Sequence, residues 1–419
     1  MTTVSTSPAP VKDNWRATIL AGLANYIDAG SIVAGAAALA LWQEVYGLSN
    51  DLVGMIAAFG PNAIGAGVGA LVGGWLCDRL GRKRIYQWDM LVYAAGMLLL
   101  VFATAPWMIV VGFLIVGLAV GADIPASWSL IAEQAPDDRR GKHSGAAQVL
   151  WNLGPVVVLM LSLALTGLGE LGARLVFAHL VVVAIGLMLL RRKMRESERW
   201  EEVQRRPEAR PSIKVLFRQP YIGSILGLVG IYGFWNLWAG TNGFFFPYIL
   251  RTVGAATQAE SVAIQSLTFL LGMASNYFVF MRFVDRVNQR HMFLASAVIQ
   301  VIGMALLIVF PLTIPVAIAH VVLLGFGLGF GAQAFFQLWS SEMFPTALRS
   351  TAQGLCFAIV RIGLGFFSLF VPLLTATGFT TLAVILTGFL VVHGLIGWFW
   401  APRNEGKSLE QLEAERQSA

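Results

Sequence analysis

The chain has 419 residues, 57% of them hydrophobic and 12% charged, and a net charge of +6. Soluble domains carry about a quarter charged residues, so a water-soluble globule is excluded. Cys77 and Cys356 are the only cysteines and fall in no ligand spacing, which excludes a disulfide framework and a cysteine metal site.

The N-terminal segment is polar through Lys12 and Arg16 and shows no small-residue cleavage site, so the first apolar run is expected to be a retained helix. Apolar stretches of about 20 residues, long enough to cross a bilayer, then follow at 18–41, 52–76, 86–104, 107–131, 145–167, 173–190, 221–249, 261–281, 291–311, 314–338, 351–373 and 380–400. The expectation is an all-α polytopic membrane protein with twelve transmembrane helices. The long polar interval 191–220, with ten Lys/Arg and five Glu, reads as a solvated cytoplasmic linker between a six-helix bundle at 1–190 and another at 221–400, with a tail at 401–419. Placing the N-terminus in the cytoplasm puts 26 of the 29 basic residues on that side and leaves only Arg174 and Arg251 opposite. The positive-inside rule therefore puts both termini in the cytoplasm of a cell (inner) membrane protein. The charge reports membrane orientation and gives no reason to expect nucleic acid.

The two halves repeat. Residues 73–84 read GGWLCDRLGRKR, an abrupt charged cluster after a run of small residues. Asp78-Arg79 is followed by Glu133, Pro136 and Arg140; Asp285-Arg286 is followed by Glu342, Pro345 and Arg349 with the same E-x-x-P-x-x-x-R spacing. A six-helix unit duplicated in parallel is a transporter plan. Asp78, Arg79, Gly81, Arg82, Glu133 and Arg140, with Asp285, Arg286, Glu342 and Arg349, are expected to form a cytoplasmic latch, Gly81 supplying the tight reversal. Ion pairs near the headgroups can break and re-form at small energy, as a two-state switch requires. Anchoring of the loops is the alternative reading.

The stretch Gly74 to Lys83 resembles the loop signature between helices 2 and 3 of the major facilitator superfamily. Glu133-Gln134-Ala135-Pro136 through Arg140-Gly141 resembles the family's helix 4 to 5 loop, and Glu342-Met343-Phe344-Pro345 through Arg349 the sugar-porter signature after helix 10. Glu196 to Trp200 and the tail Pro402 to Glu410 resemble the sugar-porter segments that follow helices 6 and 12. The resemblance implies two pseudo-symmetric six-helix bundles, alternating access and a central substrate cavity. It also marks departures. Gln148 stands at the first of the two helix 5 glutamine positions, with Pro155 at the second. Asn242 is kept in helix 7 while the glutamine pair before it is lost. Gln337 replaces the helix 10 tryptophan, and Asp28 matches the helix 1 aspartate while Phe113 occupies the helix 4 arginine position.

Asp28, Asp123 and Arg361 fall inside the predicted spans, roughly 17, 14 and 15 Å from the inside ends at 1.5 Å per residue. An ionised side chain against lipid would cost at least about 2.5 to 3.5 kcal/mol, so each should face protein or water. Similar depth permits one cluster in which two carboxylates share a guanidinium and one takes up a proton. Asp28 and Asp123 are the candidate proton-coupling residues; a polar residue relieving a backbone carbonyl beside Pro125 is the alternative for Asp123. Arg361 is either an interhelical anchor or a contact for an anionic substrate. Gln148, Trp151, Asn152, Asn236, Trp238, Asn242, Gln333 and Gln337 supply amides and ring faces for a small polar ligand. Asp89 is expected to partner the basic loop, and His179, His320 and His393 to serve packing. No metal site, nucleotide loop or nucleophile constellation is present, so the proton is the only coupling agent expected.

These features predict no enzyme but a monomeric secondary transporter in the lipid bilayer, importing a sugar, polyol, sugar acid or other organic acid with protons. Proton-driven efflux of aromatic or drug-like compounds, and a non-transporting sensor of the same fold, are the alternatives.

Overall fold

Local capping signals set where the helices start and stop. The Asn14 side chain accepts the Ala17 N–H at 3.2 Å at the head of α1 (Trp15–Tyr46), which ends where Gly47 takes φ +62°. Ser49 caps α2 (Asn50–Phe59) in the same way, accepting from Leu52 N–H at 3.3 Å. The computed structural model describes residues 14–192, 194–205, 211–254, 256–404 and 406–418, and among them all regular structure is helical. Lys12, and Glu405 of the tail motif, lie outside the described residues.

The second span is broken: α2 stops at Phe59, residues 60–63 turn, and α3 resumes at Ile64–Leu80. The third, fourth, fifth and sixth spans are α4 (Arg82–Val101), α5 (Pro106–Gln134), α6 (Arg140–Ala164) and α7 (Glu170–Arg191); α8 (Glu198–Gln204) lies in the linker. The seventh span is α9 (Tyr221–Thr252). The eighth is α10 (Gln258–Ser275), a π-helical turn at Asn276–Phe280 and α11 (Met281–Phe283); the ninth is α12 (Gln289–Val309). The tenth breaks at residues 330–331 between α13 (Ile314–Gly329) and α14 (Ala332–Glu342). The last two are α15 (Arg349–Thr377) and α16 (Phe379–Trp400), and α17 (Leu409–Ser418) forms the tail.

Among the described residues, 11 helices are long and apolar enough to cross a membrane, one fewer than the twelve spans expected. The remaining one is α4, whose 20 residues include Arg82, Lys83, Arg84 and Asp89; it packs along α5 and α7 as a twelfth helix. The linker boundary also moves by one residue. Arg191 is the final residue of α7 and is 1% exposed, so its guanidinium belongs to the bundle interior.

Large apolar side chains cover the outside, with Val182 70%, Trp88 68% and Phe399 76% exposed. A surface of this kind is stable only against lipid, where helices satisfy their own backbone groups. Spans one to six pack mainly on one another, as do seven to twelve. The halves meet through α3 with α15, α6 with α10, α1 with α9 and α5 with α14. In span numbers these contacts are 2 with 11, 5 with 8, 1 with 7 and 4 with 10, the pattern a twofold axis relating span n to span n+6 would generate. The α3–α15 crossing is close because neither helix carries a Cβ there: one added to Gly74 would strike the Ser350 carbonyl, and one on Gly354 that of Ala70.

Candidate functional site

A cavity of about 30 Å³ lies where the broken second and tenth spans meet α1, α6, α9, α10 and α15. Trp151, Asn236, Trp238, Asn242, Gln333 and Arg361, all expected at a ligand site, line it. Asn62 and Thr268 line it as well and were not anticipated. Asn62 sits at the break in the second span, directly after Pro61; a proline inside an apolar run was the available signal.

The wall of this cavity holds polar atoms without partners. Among the described residues, Asn236 Oδ1, Trp238 Nε1, Thr268 Oγ1 and Arg361 Nε are buried with no hydrogen-bond partner. Buried polar groups are ordinarily satisfied, so four around one space mark a place for water or ligand. They include an acceptor, two N–H donors and a hydroxyl that can do either. Tyr232 donates to Gln333 Oε1 at 2.7 Å and stacks on Phe336 with centroids 4.0 Å apart, fixing one side of the wall.

Gln148, Asn152 and Gln337 stand beside the cavity and do not line it. Gln148 Nε2 donates to Gln337 Oε1 at 2.5 Å across the two halves, and Asn152 Nδ2 donates to the Gln148 carbonyl at 2.9 Å. Gln337 Nε2 and Asn152 Oδ1 have no partner, so both retain capacity toward the site.

The three deep charges do not form the single cluster expected. Asp28 Oδ2 accepts from Trp151 Nε1 at 3.1 Å, and its other oxygen is buried without a partner. Arg361 Nη1 donates to both the main-chain oxygen and Oδ1 of Asn62 at 2.7 Å each, with its guanidinium 4.6 Å over the Phe357 ring. It acts on Asp28 only at longer electrostatic range. Asp123 pairs instead with Arg191, at 3.0 Å, and accepts from Ser127 Oγ at 2.9 Å. The reason is geometric. Equal depth says nothing about azimuth, and Asp123 points into the first bundle, toward α7, whereas Arg361 points at the break in span two. Asp89 also turns inward, within hydrogen-bond reach of Asp123, and away from the basic loop. The position of the family's helix 4 arginine is filled by Phe113, which packs on Trp42 and Phe177.

At the end of the bundle that carries the linker helix α8 and the tail helix α17, the repeated charges meet across the halves. Asp78 takes the Ser350 and Thr351 N–H groups at 3.3 and 2.7 Å, at the N-terminus of α15. Asp285 takes those of Gly141 and Lys142, both at 2.9 Å, at the N-terminus of α6. Each carboxylate therefore caps a helix of the opposite half, where the dipole favours it. Glu133 receives Arg349 at 2.8 Å and Arg82 at 2.9 Å; Glu342 receives Arg140 at 2.9 Å and Asn404 from the tail at 3.0 Å. The repeat is imperfect at one place. Arg82 also donates to the Cys77 carbonyl, and its counterpart Gln289 makes the same bond, to the Val284 carbonyl, without a charge.

Arg79 and Arg286 lie outside this network. Arg79 is exposed with its guanidinium 4.2 Å from the Trp75 ring, and Arg286 is exposed. Gly81 has φ +94°, a conformation that favours glycine, and a Cβ there would run into the Glu196 carboxylate. Burial holds the Asp285 carboxyl up at about 6, although the N–H groups of Lys142 and Gly141 oppose the rise.

The opposite face is more lightly closed. Arg251 pairs with Glu44 at 3.0 Å in a solvent-exposed contact, and Gln258 Nε2 donates to the Ala37 carbonyl at 2.8 Å. These residues border a second cavity, of about 220 Å³, between α1, α6, α7, α9 and α10. His320 and His393 each bond a backbone carbonyl, of Gly303 and Ile231, and His179 meets the Tyr26 hydroxyl at 3.0 Å.

Residues 17–355 and 239–419 match the family described as Major Facilitator Superfamily. The chain belongs to that superfamily. This facilitator is 44% identical over 408 residues to the minor myo-inositol transporter IolF of Bacillus subtilis, covering 95% of this chain and 93% of that one. It is 25% identical to the glucose transporter GlcP of Staphylococcus epidermidis, covering 84% and 86%. Its fold matches the proton:xylose symporter XylE bound to 6-bromo-6-deoxy-D-glucose, with a TM-score of 0.82 at 19% identity over 96% of this chain and 98% of that one. The inward open conformation of XylE from E. coli matches with a TM-score of 0.71 at 20% identity, covering 96% and 99%. The facilitator is thus a multi-pass membrane protein and a secondary transporter, in a family of transporters and not of enzymes.

Proposed function

We propose that this facilitator imports a neutral cyclic polyol, of the inositol kind, together with a proton. The observation that carries the reading is the ring of unpartnered donors and acceptors around the central cavity. Each hydroxyl of a polyol both donates and accepts, so one such ligand can satisfy Asn236 Oδ1, Trp238 Nε1 and Thr268 Oγ1 together. The indole faces of Trp151 and Trp238 offer apolar area to the C–H face of a ring. The relative named as a myo-inositol transporter supports the same substrate class.

Asp28 is the proton-coupling residue in this reading, because one carboxyl oxygen is unpartnered and the other is held by Trp151, which also lines the cavity. The network of Asp78, Glu133, Asp285 and Glu342 is the conformational latch, joined in the present cytoplasm-closed state. A cavity of about 30 Å³ holds a water or two and no sugar, so the outer half must part to admit substrate. The positive-inside pattern supports cytoplasmic termini in the cell membrane. One chain supplies the whole cavity wall, so the proposed transport needs no residue from a second copy.

A second reading follows from Arg361, whose direct partners are the neutral oxygens of Asn62: a carboxylated sugar derivative would bring the counter-charge. Counterflow in proteoliposomes with myo-inositol, hexoses and sugar acids, with the internal pH recorded, decides between them. Exchange of polyol with substrate-dependent proton entry is expected. Exchange of acids alone, impaired selectively by R361Q, would establish the second reading, and saturable binding with no exchange of any compound would rule out transport.

A further inference from the structure

Two carboxyl groups and one guanidinium are enclosed inside the first bundle, apart from the central cavity. Asp89 on α4 is 5% exposed, Asp123 on α5 2% and Arg191 on α7 1%. Arg191 is fully engaged: Nη1 pairs with Asp123 Oδ2 at 3.0 Å, Nε donates to the Leu20 carbonyl at 3.0 Å and Nη2 to that of Ala21 at 3.1 Å. Its flat face lies 4.5 Å from the Tyr86 ring. Asp89 neighbours Asp123, and its Oδ1 accepts from the Met90 N–H, yet among the described residues Asp89 Oδ2 is buried with no donor. Two ionised carboxylates against one guanidinium would leave an uncompensated buried charge, and the orphaned Asp89 oxygen compounds it.

We infer that Asp89 and Asp123 share one proton beside Arg191, forming a protonation site in the first bundle on the cytoplasmic side of Asp28. The proton is carried on Asp89 Oδ2, and the O–H donates to an Asp123 oxygen, which has a lone pair to spare beyond those given to Arg191 and Ser127. This single assignment removes the orphan and balances the charge. Other titratable groups facing the pair are Tyr86 on α4 and Cys77 on α3, with Asp28 on α1 at longer range. Neither Tyr86 nor Cys77 supplies a cation. Release of the proton to water breaks the Asp89 O–H bond and leaves the two carboxylates with Arg191 at one net negative charge, ready to receive the next proton from Asp28. That relay, though not the site itself, rests on the proton-coupled reading above.

Infrared titration of the full-length protein in lipid nanodiscs, in H₂O and D₂O, tests the site. The wild type is expected to show a protonated-carboxyl C=O band that shifts on deuteration, disappears in D89N and persists in D28N. Bands in D89N identical to wild type overturn the assignment. Asn at 89 keeps the shape and can donate to Asp123 as the acid does, so folding is expected; if D89N fails to fold, the assigned ¹³C carboxyl shift of Asp89 in unmutated protein distinguishes acid from carboxylate directly, and a carboxylate there overturns the site. The relay predicts that D89N slows pH-driven accumulation while counterflow keeps its wild-type rate, and unchanged accumulation overturns it. Absence of any substrate-linked proton flux in the wild type, with the band behaving as expected, would remove the coupling reading and leave the shared proton standing.

Discussion

Arg349 on α15 and Glu133 on α5 meet at 2.8 Å with both side chains sealed from solvent, and Arg140 and Glu342 repeat the contact at 2.9 Å on the other side of the pseudo-twofold axis. The two copies differ in what would remain after a deletion. Glu133 also serves the buried Arg82, whereas Arg140 has a second carboxylate in Asp137.

E133Q strands the buried Arg349 and leaves Arg82 only its longer 3.4 Å pair with Asp78, so it should destabilise the closed form by about 3–5 kcal/mol, the usual loss when one partner of a buried pair is removed. E342Q, which leaves Arg140 with Asp137, should lose less. Alkylation of a single cysteine placed in the inward vestibule measures this: labelling should rise in the order wild type, E342Q, E133Q. Equal labelling of the two variants would contradict the asymmetry.

The external closure should be weak by comparison. Glu44 is exposed and Arg251 half-buried, and such a surface pair contributes at most about 1 kcal/mol and is screened by salt. R251Q is therefore expected to change the accessibility of outward positions by severalfold at most, with the difference shrinking at high ionic strength.

Asp285 should give the proposed latch a pH dependence. Burial raises its carboxyl from 3.8 to about 6 in the closed form, with Glu342 adding to the rise and Arg140 opposing it. Exposed to water on opening, it would return toward 3.8, so the closed form binds the proton more tightly. Closure should strengthen as cytoplasmic pH falls through 6 toward 3.8, and the burial penalty is fully present above 6. Inward labelling should slow across that window in the wild type, and in D285N it should not respond.

D28N should retain counterflow and lose pH-driven accumulation, because exchange needs only reorientation of the loaded carrier whereas accumulation needs the proton. Undiminished accumulation in D28N would remove Asp28 from the coupling role.

Trp238 offers an N–H to the cavity that nothing among the described residues uses. W238F keeps the ring and deletes the donor, so the Kd for polyol should rise by about 2- to 12-fold, corresponding to one hydrogen bond of about 0.5–1.5 kcal/mol. Isothermal titration on the purified protein reads this directly; an unchanged Kd would place the ligand elsewhere.

The membrane class, the twelve-helix plan, the duplication and the charges Asp78, Glu133, Arg140, Asp285, Glu342 and Arg349 that join the halves were legible in the linear chain. Apolar length and basic-residue bias act locally, through transfer into lipid and attraction to one side of the bilayer, and a repeat is visible wherever both copies keep their charges. What the chain alone could not decide was direction around each helix. Asp28, Asp123 and Arg361 share a depth, yet Asp123 faces Arg191 inside one bundle and Arg361 faces Asn62 at a helix break. Arg191 counted as a linker charge until the last turn of α7 buried it, and Asn62 had no distinguishing feature beyond the proline before it. Rise along a helix is fixed by backbone geometry that every residue shares, while the partner a side chain meets depends on how whole helices rotate and cross, which only the packed bundle determines.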